Sequence, residues 1–121
     1  CVREARDAII ASMKPGITMN DMRNVGKEVY KKHGLEKYWF GYVGHFVGMA
    51  VHDVGPYDKP FVEGVVFNVE PILEDKEKKI HIRLEDTIVI TATGAENLTP
   101  QSPVEPKAIY TLMKEKGVGE K

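Results

Sequence analysis

Two histidines stand seven residues apart in Gly44-His45-Phe46-Val47-Gly48-Met49-Ala50-Val51-His52-Asp53-Val54-Gly55, a run that is otherwise apolar and spaced by glycines. Imidazole is the commonest metal ligand among side chains and a frequent proton carrier near neutral pH. Gly44 and Gly48 let the backbone turn tightly or approach another group closely. A histidine in an apolar run is often simply a hydrogen-bonded core residue, so the functional reading depends on the downstream carboxylates. Two later stretches with strand composition, 65–71 and 80–90, each carry a glutamate, Glu70 and Glu85. Side chains alternate along a strand, so Asn68 and Glu70 share a face of the first stretch. In the second, His81, Arg83 and Glu85 oppose Ile80, Ile82 and Leu84. A carboxylate is rarely buried unless paired or bound to metal. His45, Glu70 and Glu85 therefore form a plausible oxygen-rich ligand set for a divalent cation.

These residues also carry a resemblance. The run His45-x-x-Gly48-x-x-Val51-His52-Asp53, then Val69-Glu70-Pro71, then Ile82-Arg83-Leu84-Glu85-Asp86, in that order and spacing, resembles the C-terminal part of the pita-bread metallopeptidases. The likeness is to the Xaa-Pro aminopeptidase and prolidase branch, with methionine aminopeptidases and creatinase more distant, and it covers nearly the whole chain. It implies a dinuclear site in which His45, Glu70 and Glu85 are metal ligands and Glu70 also relays a proton. It implies that His52 contacts the substrate or its reacting carbonyl without binding metal, and that Arg83 lies beside the last ligand on the substrate side. Two further aspartate ligands of the family have no counterpart here, and the resemblance puts them upstream of Cys1. Gly41 and Glu74 stand where that branch often has a histidine and a tyrosine.

Composition sets the outer bounds. At 121 residues, 42% hydrophobic and 29% charged, the chain reads as one globular domain or part of one. Its net charge of −1 gives no electrostatic case for nucleic acid or an anionic membrane. No apolar run approaches the roughly 20 residues of a spanning helix. One cysteine, Cys1, allows no internal disulfide, which fits a reducing compartment and a cytoplasmic expectation. A chain opening on Cys1, together with the two absent aspartates, is expected to be a partial catalytic domain over 1–121.

The elements that must position these residues come from periodicity. Val2, Ala5, Ile9 and Met13 recur at helical spacing until Lys14-Pro15-Gly16 stops them. Thr18-x-x-Asp21 opens a second helix with Met22, Val25 and Val29 on one face and His33-Gly34 at its end. Residues 35–46 are aromatic and are expected to be extended, mostly for packing, with Tyr38, Trp39 and Phe40 as candidate pocket residues. The loop 55–60 is a candidate pocket edge, and 74–79 a solvated hairpin tip. Residues 93–98 turn the chain out of the last strand. Pro106 opens a final helix with an apolar stripe of Ala108, Ile109, Leu112 and Met113, and the tail from Val118 is expected to fray.

The expected architecture is α+β, a mostly antiparallel sheet with flanking helices, and the resemblance implies that this is half of a pita-bread fold with a curved sheet. Its open edge is expected to pair with the upstream half of the domain or a complementary chain, or with another copy in a homo-oligomer. The expected activity is hydrolysis of Xaa-Pro bonds in peptides with proline at the second position. It would use two divalent ions in the complete site, Mn²⁺ ahead of Co²⁺, Zn²⁺ or Fe²⁺. The other reading is a peptide-binding module of the same fold without the chemistry.

Overall fold

The computed structural model describes residues 1–117. Helix α1 (Val2–Ser12) presents Val2, Ala5 and Ile9 inward, and all are buried as their spacing predicts. Helix α2 (Met19–Lys32) starts at the expected capping box. The Asp21 N–H donates to Thr18 Oγ1 at 3.1 Å, and the Thr18 N–H donates to the Asp21 carboxylate at 2.9 Å. The two helices pack on each other and on a four-stranded antiparallel sheet.

That sheet runs β1 (Gly44–Phe46), β2 (Val66–Val69), β5 (Asp86–Ile90), β6 (Ala95–Asn97). Its register fixes the two faces. His45, Asn68 and Thr87 stand abreast, as do Phe46, Phe67 and Ile88 one residue along. The second row is buried with Ile9, Met13 and Met22 of the helical layer. Fully burying a side chain of this kind stabilises the fold by about 1.5–3 kcal/mol. The apolar row therefore holds the polar row on the far face. Gly44 is required at the start of β1: its φ is +145°, and a Cβ there would lie 1.7 Å from the Asn68 carbonyl oxygen. Gly26 plays a comparable part on α2, where a Cβ would lie 2.5 Å from the Trp39 ring.

The segment 80–90 is not one strand. β4 (Ile80–Arg83) pairs only with β3 (Ile72–Asp75) in a separate hairpin, and the chain passes through Leu84 and Glu85 before re-entering the main sheet as β5. The even-numbered face persists, but Ile80 and Ile82 stay exposed while Ile88 and Ile90 are buried. Asp86 lies on that core-facing side. Its charge is met by Arg6 of α1, a buried cation, and by the Thr99 hydroxyl at 2.9 Å.

Three further expectations change. The 74–79 run is a hairpin connection, but Asp75 is buried: it accepts the Tyr38 hydroxyl at 2.7 Å and the Lys78 N–H at 3.1 Å. These donors hold its pKa below the usual value, the hydroxyl having the larger effect. Residues 95–97 form β6, because Ala95, Glu96 and Asn97 find ladder partners on β5. Helix α3 (Pro106–Leu112) forms behind Pro106, yet none of its residues is fully buried: of its apolar stripe Ala108 and Ile109 are half-buried and Leu112 and Met113 exposed. The tail expected to fray from Val118 lies outside the described residues.

Candidate metal centre

His45 projects from β1 and is buried. Its Nδ1 lies 3.0 Å from the Phe46 carbonyl, which can only accept, so Nδ1 carries a proton. Nε2 points at two carboxylates, 3.3 Å from Glu70 Oε1 and 3.8 Å from Glu85 Oε1. One imidazole nitrogen and two carboxylate groups gathered around one point call for a cation, either a proton on Nε2 or a metal ion. The donor chemistry, one imidazole and two carboxylates, suits a first-row divalent ion.

Glu70 comes directly after β2 and is 2% exposed. Its backbone N–H donates to the Val43 carbonyl at 2.9 Å, which keeps it level with β1. Its buried charge is met on both oxygens: Oε1 accepts the Tyr42 hydroxyl at 2.6 Å and Oε2 accepts an Arg83 N–H at 3.0 Å. Burial raises the Tyr42 pKa, and the adjacent Glu70 carboxylate raises it further. Glu85 is more exposed and is oriented by a relay. The Thr87 hydroxyl donates to Asn68 Oδ1 at 2.8 Å, and Asn68 Nδ2 donates to Glu85 Oε1 at 2.5 Å.

His52 comes from the loop after β1. The Asp53 N–H returns to the Phe46 carbonyl at 3.0 Å, and the Asp53 carboxylate accepts the N–H groups of Val54 and Ala50, so its pKa is lowered. This folds the loop back and sets the exposed His52 ring 4.1 Å from the His45 ring, tilted by 38°. Among the described residues, ligand atoms of His45, His52 and Glu70 all lie within 4.8 Å of one another. Glu85 reaches the cluster through His45 alone.

All five predicted positions, His45, His52, Glu70, Arg83 and Glu85, thus meet in one region. Tyr38 and Trp39 do not: they pack into the core beneath α1 and α2. The aromatic segment is also not simply extended, because Glu36–Tyr38 forms a 3-10 turn and Phe40 stays exposed. The 55–60 loop does reach the site through Tyr57. Its ring stands edge-on to Phe46 at 4.8 Å and joins Tyr42, His45 and His52 in lining a cavity of about 290 Å³. Sequence reasoning misses Tyr42, Asn68 and Thr87 as supports. Alternation shows that Asn68 shares the Glu70 face, but not which partners it meets beyond its own strand.

A buried, carboxylate-flanked imidazole on an antiparallel sheet, backed by two helices, is the arrangement of the pita-bread metallopeptidases. Residues 1–92 match metallopeptidase family M24, and the chain belongs to that family. It is 33% identical over 102 residues to the Xaa-Pro dipeptidase of Pyrococcus furiosus, covering 81% of this chain and 29% of that protein. It is 35% identical over 113 residues to the Xaa-Pro aminopeptidase of Escherichia coli, covering 84% and 25%. Among solved structures, the X-Pro aminopeptidase of Thermotoga maritima superposes with a TM-score of 0.77 at 33% identity, over 86% of this chain and 30% of that one. The chain thus spans under a third of the length of these relatives. Among the described residues, no helix is long and apolar enough to cross a membrane.

Proposed function

We propose that this chain forms the metal-binding part of a peptidase that hydrolyses Xaa-Pro bonds, with His45, Glu70 and Glu85 as ligands. The observation that carries the reading is His45 Nε2 lying 3.3 Å from a Glu70 carboxylate oxygen and 3.8 Å from a Glu85 one, while Nδ1 is engaged by the Phe46 carbonyl. The names of the similar proteins support the choice of substrate, a peptide with proline at the second position. Bound divalent ions, two in the complete site and Mn²⁺ first among the candidates, would polarise the scissile carbonyl and acidify the attacking water. Glu70 would take up a proton from the attacking water, and Tyr42 and Arg83 hold its two oxygens oriented. His52, exposed on the cavity side of His45, donates an N–H to the carbonyl oxygen as charge develops there. Arg83 stays half-exposed at the rim, where it can also meet the substrate. The single cysteine agrees with a reducing, cytoplasmic setting.

The test has two arms. Calorimetric titration of the 121-residue chain with Mn²⁺ should show one weak site, because the chain brings one imidazole and two carboxylates to the centre. Two tight sites would refute the ligand assignment. In the complete, metal-loaded enzyme, hydrolysis of an Xaa-Pro peptide should disappear in Glu70→Gln. Hydrolysis that survives this change would remove Glu70 from the chemistry.

A further inference from the structure

We propose that Thr99 is a positioning residue for Glu85: from the β6 edge of the sheet, its hydroxyl sets where that carboxylate stands beside His45. The inference rests on the ligand assignment above and adds to it the group that holds the ligand. The two carboxylates at the centre are fixed very differently. Glu70 is buried and bonded on both oxygens. The Glu85 side chain is 44% exposed, and among the described residues the one donor to it is Asn68 Nδ2. Its backbone lies in the two-residue passage between β4 and β5, outside the ladders of both strands. The place of Glu85 therefore depends on what anchors the next two residues, Asp86 and Thr87.

Thr99 anchors both. Its hydroxyl accepts the Thr87 N–H at 3.1 Å and donates to Asp86 Oδ1 at 2.9 Å. Asn97 Oδ1 lies 3.2 Å from the same hydroxyl but already accepts the Thr99 N–H at 2.8 Å, so the charged and nearer Asp86 oxygen takes the hydroxyl hydrogen. The β5–β6 ladder stops at Ile88 and Asn97, with one further bond from the Leu98 N–H to the Thr87 carbonyl at 2.8 Å. The Thr99 hydroxyl then stands in for the next backbone carbonyl of that edge and satisfies the Thr87 N–H, which carries the pairing a step closer to Glu85. Arg6 closes Asp86 from the other side, so both of its oxygens are held. Two routes lead from Thr99 to the ligand. The backbone route crosses the single peptide bond between Asp86 and Glu85. The side-chain route runs through the Thr87 hydroxyl to Asn68, whose amide holds Glu85 Oε1, the oxygen 3.8 Å from His45 Nε2. A metal ligand has to stand within about 0.2 Å of its proper distance, so slack at Asp86 and Thr87 is felt at the centre.

The experiment measures Mn²⁺ affinity by calorimetric titration, and the urea midpoint without metal, for the complete enzyme and its Thr99→Val, Thr99→Ser, Glu85→Gln and Thr99→Val/Glu85→Gln variants. Thr99→Val keeps the shape of the side chain and removes the hydroxyl. It should weaken Mn²⁺ binding about 10- to 100-fold, the loss typical of removing a group that orients a ligand, while Thr99→Ser should bind as the wild type does. In the Glu85→Gln background Thr99→Val should cost nothing further, because the carboxylate it positions is already gone. A lower urea midpoint with unchanged Mn²⁺ affinity would make Thr99 a support of the fold alone and overturn the inference, as would an equal loss of affinity in both backgrounds. If Thr99→Val does not fold, Thr99→Cys, which keeps a weak S–H donor at the same place, runs the same cycle and should show a smaller loss that again vanishes in Glu85→Gln. A Glu85→Gln variant that binds Mn²⁺ as tightly as the wild type removes the ligand assignment, and the inference with it. Weakened binding in Glu85→Gln beside an unaffected Thr99→Val overturns the inference and leaves the ligand assignment standing.

Discussion

His52→Ala separates substrate contact from metal binding. The two imidazoles are close enough that spacing alone would make both of them ligands, since their rings lie 4.1 Å apart. Their surroundings differ. His45 is 4% exposed, bonded through Nδ1 and faced by two carboxylates. His52 is exposed, and neither of its nitrogens has a hydrogen-bond partner among the described residues. Removing it forfeits at most the ring contact, about 0.5–1.5 kcal/mol for an aromatic pair, so the fold should persist with a Tm shift of a few degrees. The catalytic loss should be larger. One donor to a developing oxyanion is worth about 10²-fold in rate, or about 2.7 kcal/mol. In the complete enzyme the variant should therefore keep the metal stoichiometry of the wild type by elemental analysis while kcat/KM for an Xaa-Pro peptide falls about a hundredfold. His45→Ala should lose metal and activity together. Equal metal loss in the two variants would make His52 a ligand, and full activity in His52→Ala would return it to a packing role.

Gly44→Ala should cost about 3 kcal/mol or more, because strain at positive φ adds to a contact with the Asn68 carbonyl that only backbone movement relieves; a shift in urea midpoint equivalent to under about 1 kcal/mol would contradict it. Arg6→Met should destabilise by about 3–5 kcal/mol by stranding the buried Asp86, and Arg6→Met with Asp86→Leu should recover most of that loss; additive losses in the double variant would mean that the pair is not coupled. Asp75 has its pKa lowered on folding, so it contributes stability above the ordinary carboxylate range, and that contribution is lost as pH falls through the lowered folded value. Tyr38→Phe should accordingly flatten the fall in urea midpoint below about pH 4, and an unchanged acid limb would show that the Tyr38 hydroxyl is not the cause.

Periodicity and residue chemistry alone determined both opening helices, the Thr18–Asp21 cap, and His45, His52, Glu70 and Glu85 as candidates for chemistry, because those signals are local; the candidacy of Arg83 came from the family resemblance. Alternation within one strand was enough to put Asn68 beside Glu70. It could not say that 80–90 divides between two sheets, since its even-numbered face runs unbroken through the division; only the pairing partners of β4 and β5 make Ile82 exposed and Ile88 buried. Residues that act across strands were likewise invisible. Tyr42 on Glu70, Thr87 through Asn68 on Glu85, and Arg6 on Asp86 are each joined to their partners by register or by helix docking, over separations of 17 to 80 residues. The depth at which Glu70 sits was decided in the same way. A carboxylate two residues beyond Asn68 becomes a buried anion only when β1 closes over it and Tyr42 and Arg83 arrive to satisfy both oxygens, and that is a property of the assembled sheet.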